Sequence, residues 1–185
     1  MMTADEKSTA VPAANGQPAK APRLTKEQLA SLARDMYAGF GQVTTVLMRS
    51  VEYRHAFLSE LEWLVVPSVL SSQYSIASAE QGNSGLTSPQ AVVLWAHVSE
   101  TVDKRLTSSG GKPRLRPDEW TSGQIPWLIE VAGDTRAASM LLRTVVEQKF
   151  AKTGLKTMER QTNGQYKERL LGIAVPPAAA NAAKT

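Results

Sequence analysis

The sequence predicts an α+β layout, with α/β as the alternative, built around one mixed sheet with flanking helices. Three observations lead there. Apolar residues recur at helical spacing in the first third of the chain. Alternating and continuous apolar runs bounded by Gly, Asn, Ser and Pro follow it. A strand, a Gly turn and a helix start then run directly into one another over Ile125 to Arg136, and an Asn-Gly hairpin signal comes last.

Taken in order, Thr25 suits a helix N-cap, with Gln28 three residues on completing a capping box. Leu29, Leu32, Ala33 and Met36 share a helical face, Gly39 and Gly41 interrupt it, and Val43, Val46 and Leu47 resume it. A polar link, Arg49 to His55, precedes a second helix carrying Leu58, Leu61, Trp63, Leu64 and Val65. Pro67 should bend or end that helix, and Val69 and Leu70 can start a further turn. Gln73–Ala79 alternates like a half-buried strand, Gln81–Pro89 reads as a turn, and Ala91–Val98 reads as the second strand of a hairpin. Ser99–Leu106 fits one or two helical turns, and Thr107–Pro117, with Gly110, Gly111, Pro113 and Pro117, reads as a loop. Ile125–Ala132 is a short apolar run between Thr121-Ser122-Gly123 and Gly133, as a buried strand would be. Asp134 or Thr135 can cap a helix whose apolar face is Ala138, Leu141, Leu142, Val145 and Val146, ending near Phe150. Leu155–Arg160 and Gln165–Arg169 flank Asn163-Gly164 as a closing hairpin. Residues 1–23 and 175–185, rich in Ala, Pro, Lys and Gly, read as tails around a single domain over 24–174.

The 185 residues, 42% of them hydrophobic, suffice for one core. The absence of cysteine excludes disulfide and thiolate chemistry. A net charge of +4 favours acidic partners without pointing to nucleic acid, since no Lys/Arg stripe interleaves Trp63, Trp95, Trp120 and Trp127. No apolar run approaches the roughly 18 residues of a membrane span, and the first residues lack a signal-peptide core. These features predict a soluble, cytoplasmic protein.

No phosphate-binding loop, dinucleotide fingerprint, nucleophile elbow or metal cluster is present. The two histidines, His55 and His97, stand in different elements and fit structural roles better than catalytic ones from pattern alone. Glu130 is the singular residue. An ionised group inside a strand is costly unless paired or used, although an edge strand could also point it to solvent. Ser50–His55, the strand carrying Glu130 and the turn Gly133-Asp134-Thr135-Arg136 together suggest a pocket. Backbone N–H groups at that turn could hold a phosphate with Arg136 as counter-charge, against the like charge of Asp134. A carboxylate beside a phosphate-holding helix start suits acyl transfer, in which it takes a proton from an attacking amine.

M-R-S-V-E-Y-R-H-A-F from Met48, L-V-V-P-S-V-L-S-S-Q-Y from Leu64, L-W-A-H-V-S from Leu94, D-E-W-T-S-G from Asp118 and W-L-I-E-V-A from Trp127 resemble the RTX toxin-activating lysine acyltransferases. The resemblance covers roughly Phe40–Arg160. It implies an N-acetyltransferase-like α+β fold and transfer of a fatty acyl group from acyl carrier protein to internal lysines of an RTX-type protein in the cytoplasm. No tightly bound cofactor is implied, and a homodimer is a reasonable expectation. The helix after Gly133 would face the donor's pantetheine arm, with Gly133, Thr135, Arg136 and Trp127 as substrate-binding residues. The family's essential pair is a His shortly after a Ser and an Asp on the strand after the T-S-G turn. Ser50 matches the Ser and Glu130 the Asp, whereas Tyr53 stands at the His position, with His55 two residues beyond. Three assignments follow. Glu130 is the base with Tyr53 assisting, or His55 replaces the missing His, or transfer is lost and the fold serves as a binding module for acyl carrier protein or a secreted partner.

Overall fold

The computed structural model describes residues 24–80, 82 and 85–172; the expected tails 1–23 and 175–185 lie outside them. Among the described residues four α-helices and five strands follow the expected order: α1 (Lys26–Arg49), α2 (Leu58–Leu70), β1 (Tyr74–Glu80), β2 (Thr87–Val98), α3 (Glu100–Ser108), β3 (Ile125–Gly133), α4 (Thr135–Lys149), β4 (Leu155–Arg160) and β5 (Tyr166–Leu171). They form a mixed sheet in the order β1-β2-β3-β4-β5, antiparallel except for β3 beside β4. The arrangement is α+β and compatible with the N-acetyltransferase-like expectation.

Two apolar layers sandwich the sheet. On one side Val43, Val46 and Leu47 of α1, Leu64 and Val65 of α2, and Val102 and Leu106 of α3 meet Val92, Leu94, Trp127 and Ile129 of the sheet. On the other, Val145 and Val146 of α4, with Phe150, meet Val93, Trp95 and Leu128. Each fully buried aliphatic side chain contributes about 1.5–3 kcal/mol. The alternating assignment of β2 residues to the two layers is the period-2 signature of a strand covered on both faces.

Helix α1 starts as expected: Thr25 accepts from the Gln28 N–H (3.2 Å), and the Gln28 side chain accepts from the Thr25 N–H (2.8 Å). The glycines do not interrupt it. Gly39 lies where a Cβ would stand 2.2 Å from the Tyr74 hydroxyl, so it admits the aromatic ring of β1 rather than breaking the helix. Nor does Pro67 end α2, which continues to Leu70. A proline removes the N–H that would bond the carbonyl four residues back. That carbonyl, of Trp63, instead accepts the indole N–H of Trp120 at 3.0 Å, so the missing helical bond is replaced from outside.

Of the expected Gln81–Pro89 turn, residues 81, 83 and 84 lie outside the described residues, and β2 already begins at Thr87. Pro89 sits opposite Ser78 at a register shift, a position where a strand tolerates proline. The parallel join is narrow, with Trp127 opposite Lys156 as its register pair. Side chains reinforce it: Asp103 of α3 accepts from the Trp127 indole (2.7 Å) and from the Lys156 ammonium (2.8 Å). The closing hairpin forms, with Gly164 at φ 83° in its turn. Among the described residues no helix is long and apolar enough to cross a membrane.

Candidate active site

Glu130 owes its position to a bulge. Strict alternation from Trp127 would send Glu130 to the same face as Leu128, against α4. The β2–β3 register shifts instead: Trp95 pairs with Leu128, and Leu94 pairs with Glu130. Ile129 is thus the extra residue. It and Glu130 both turn to the α1–α2 face, and Val131 returns to the α4 face. Glu130 is 6% exposed there, neither a core side chain nor the solvent-facing edge residue its spacing also allowed.

Its partner comes from the turn after α1. Ser50 ends α1 in an extended conformation, and its carbonyl accepts from the N–H groups of Tyr53 (3.2 Å) and Arg54 (2.9 Å). The end of α1 is tied to β2 by Arg49, which donates to the Ser88 hydroxyl and the Pro89 carbonyl, both at 3.2 Å. This tight turn, anchored to the sheet, carries Tyr53 over β3, where its hydroxyl donates a short hydrogen bond to Glu130 Oε2. The residue at the expected histidine position therefore does meet the strand carboxylate.

A third group joins them that sequence reasoning missed. Lys112, from the loop before the Pro117–Glu119 turn, places Nζ 2.7 Å from Glu130 Oε2, 3.0 Å from the Tyr53 hydroxyl and 2.8 Å from Glu52 Oε2. Its three N–H donors match three acceptors. Burial raises the Tyr53 phenol above its ordinary range, and the Glu130 charge and hydrogen bond raise it further. For Lys112, burial alone would favour the neutral amine. The hydrogen bond and charge of Glu130, helped by Glu52 and Tyr53, outweigh it and hold the ammonium firmly charged. At neutral pH the cluster is thus a neutral phenol and an ammonium around the carboxylate. Nothing in the local pattern of S-G-G-K-P marks Lys112; only the tertiary crossing of three distant segments reveals it.

His55 is exposed and makes no hydrogen bond or ion pair among the described residues. His97 is half-buried, with Nδ1 3.2 Å from Gln73 Oε1, and burial lowers its pKa; it braces β2 rather than joining Glu130. Ser50 contributes its backbone to the Tyr53 turn, and its hydroxyl makes no hydrogen bond among the described residues.

The turn at the end of β3 is built for close packing. Gly133 has φ +110°, and a Cβ there would lie 2.1 Å from the Gln90 carbonyl. Asp134 caps α4 by accepting from the Ala137 N–H (2.9 Å), so its own carboxylate takes the place an anion would use at that N–H. Thr135 and Arg136 are exposed, and Arg136 has no ion pair among the described residues. The body of α4 packs on the face opposite Glu130 through Val145 and Val146, and among the described residues Gly133, Asp134, Thr135 and Arg136 make no hydrogen bond or ion pair with Tyr53, Glu130 or Lys112. Trp127 is fully buried and bonded to Asp103.

The D-E-W-T-S-G stretch is scaffold. Glu119 is buried and ion-paired with Arg105 at 2.5 Å, and the Trp120 carbonyl accepts from the His97 N–H (2.9 Å). Gly123 lies so near β2 that a Cβ would stand 2.4 Å from the Val98 carbonyl. The motif locks the approach to β3 and so fixes where Glu130 emerges.

Tyr53 also lines a cavity of about 220 Å³ whose other walls are mainly Leu47, Met48, Phe57, Leu58, Leu61 and Leu64, with Arg54 and Glu60 among them. Its one unpartnered buried polar atom is the Thr44 hydroxyl. Met48, Phe57 and Leu58, at its rim, are 67–86% exposed. No group of His, Cys, Asp and Glu able to hold a metal ion occurs among the described residues.

No curated protein matches the chain. The profile of a family defined by RTX toxin acylation does match it, over residues 33–173, a span that holds Ser50, Tyr53, Lys112 and Glu130. That span is well over half of the chain: the protein belongs to the RTX toxin acyltransferase family.

Proposed function

We propose that the protein transfers a fatty acyl group from acyl carrier protein to internal lysines of an RTX-type toxin in the cytoplasm. Glu130 serves as general base and the Tyr53 hydroxyl as its hydrogen-bonding partner. The observation that carries this reading is the contact of Tyr53 with the buried Glu130 carboxylate in a chain of the toxin acyltransferase family. A lysine amine attacks a thioester only when neutral, so its proton must reach a base within hydrogen-bond distance. Glu130 has the reach and a dry setting. The neutral phenol orients the carboxylate and is placed to donate to a developing oxyanion. The apolar cavity beside Tyr53 suits an acyl chain, and the rim residues Met48, Phe57 and Leu58 suit a protein acceptor. The basic balance of the chain suits the acidic carrier.

The test is transfer from acyl-loaded carrier protein to an RTX-type acceptor, followed by mass spectrometry of acceptor lysines. The expected result is acyl-lysine formation by the wild type and its loss in Glu130→Gln. A stable complex with no acyl-lysine product would refute the enzyme reading in favour of a binding module. Equal transfer by both proteins would refute the assignment of Glu130.

A further inference from the structure

The Lys112 amine occupies the position that the acceptor lysine's amine must take. An acceptor nitrogen has to lie within hydrogen-bond distance of Glu130 to give up its proton, and beside Tyr53 to be oriented. Lys112 Nζ satisfies both conditions, at 2.7 Å and 3.0 Å. Among the described residues no other lysine pairs with Glu130 or Tyr53.

The placement is built rather than incidental. Pro113 and Leu115 are buried immediately after Lys112, which anchors the loop against the core, while the preceding Gly110 has φ +60° and makes the reversal that brings the chain back. The Lys112 side chain is nevertheless 44% exposed, so its flank stays open to an incoming thioester. Glu52, 68% exposed, offers a second carboxylate to which the ammonium can swing when an arriving acceptor displaces it.

We infer that Lys112 is an internal acceptor: the chain acylates its own Lys112 when a charged acyl donor is present and no acceptor protein displaces the side chain. This rests on the proposed acyl transfer. The donor is an acyl thioester. The Lys112 ammonium, 44% exposed, loses one proton to solvent, and the neutral amine attacks the thioester carbonyl. As the N–C bond forms, Glu130 takes the second proton from the nitrogen, and the C–S bond breaks, leaving a neutral amide. Glu130 returns the proton to the departing thiolate, which leaves as a thiol. An acceptor lysine, also an ammonium on arrival, would use the same proton path.

The experiment incubates the full chain with acyl-loaded carrier protein alone, then with an RTX-type acceptor added, and reads intact mass and peptide maps. The expected result is one acyl mass added to the chain, mapped to Lys112, at a rate independent of the chain's concentration. The adduct should be absent from Lys112→Arg and from Glu130→Gln, and should form several-fold more slowly with excess acceptor. Acylated acceptor with no adduct on Lys112 would overturn the inference while leaving the proposed function standing. No acylation of either protein would overturn both. An adduct on other lysines that persists in Glu130→Gln would mark non-enzymatic chemistry and overturn it as well.

Discussion

Replacing Glu130 with Gln separates the chemistry of this site from its contribution to the fold. The substitution keeps the volume and removes the charge. In the native protein Oε2 accepts from the Tyr53 hydroxyl and the Lys112 ammonium, and Oε1 accepts from the Val131 N–H at 3.1 Å. An amide offers one oxygen and one N–H donor group. Whichever way it turns, one site meets donor against donor. A hydrogen bond to a charged group contributes about 1.5–3 kcal/mol. Lys112, however, is 44% exposed and keeps Glu52 at 2.8 Å, so its loss falls in the surface range of about 0–1 kcal/mol. A net destabilisation of about 1–2 kcal/mol follows, and each kcal/mol lowers the melting temperature of a domain this size by about 2–4 °C. Removing a general base slows turnover by about 10²–10⁴-fold, which is about 3–5 kcal/mol of barrier. The folded population barely changes while catalysis collapses. The assay is acyl-lysine formation on an RTX-type acceptor by mass spectrometry, with thermal melting run on the same preparation. Transfer that falls only as far as the folded fraction falls would show that Glu130 is a structural carboxylate, and the reasoning would fail.

Tyr53→Phe removes one hydrogen bond to a carboxylate and should slow transfer by about 10–100-fold, whereas His55→Ala should leave it unchanged; the reverse ranking in the same assay would move the role to His55. Trp120→Phe leaves the Trp63 carbonyl without its donor and should lower stability by about 1–3 kcal/mol beyond the lost packing. Denaturant titration should find that loss smaller in a Pro67→Ala background, where a restored N–H can bond the same carbonyl; strict additivity would count against the compensation. Tyr53 and Lys112 both have pKa values raised in the fold from 10.0 and 10.5. The native state therefore holds protons the unfolded chain releases, and stability should fall as pH climbs above about 10. Denaturation midpoints at pH 8 to 11 should show that fall weakened in Tyr53→Phe, and an equal fall in the variant would refute the link.

The layers, the order of elements and the helix caps were legible because they rest on local rules. Periodicity, Thr25 with Gln28, and Asp134 before α4 each act within a few residues. The failures came where a distant group overrides the local rule. Pro67 reads as a bend or an end of the helix until Trp120 supplies the missing donor. Gly39 reads as an interruption until the Tyr74 ring arrives against it. The site shows the same division. Tyr53 and Glu130 stood out in the sequence, one by its place in a matched motif and the other by being a charge inside an apolar run. Lys112 did not, because its meaning depends on three segments crossing, and a lysine in a Gly- and Pro-bounded loop looks like any solvated one.

The bulge at Ile129 shows why the carboxylate could be found but its orientation could not. A strand's alternation assigns faces only as long as no residue is inserted. W-L-I-E-V-A, read without a bulge, puts Glu130 beside Leu128 and facing α4, where Val145 and Val146 would bury it with no polar partner. A single extra residue reverses that, sets Glu130 opposite Leu94, and turns it toward the end of α1. The charge is tolerable only after the reversal, because only that face offers Tyr53 and Lys112. Bulge, turn and loop are therefore one device. Each alone would leave a buried ion unpaired, and together they leave a carboxylate whose partners are a phenol and an amine, the groups that the proposed amine acylation must handle.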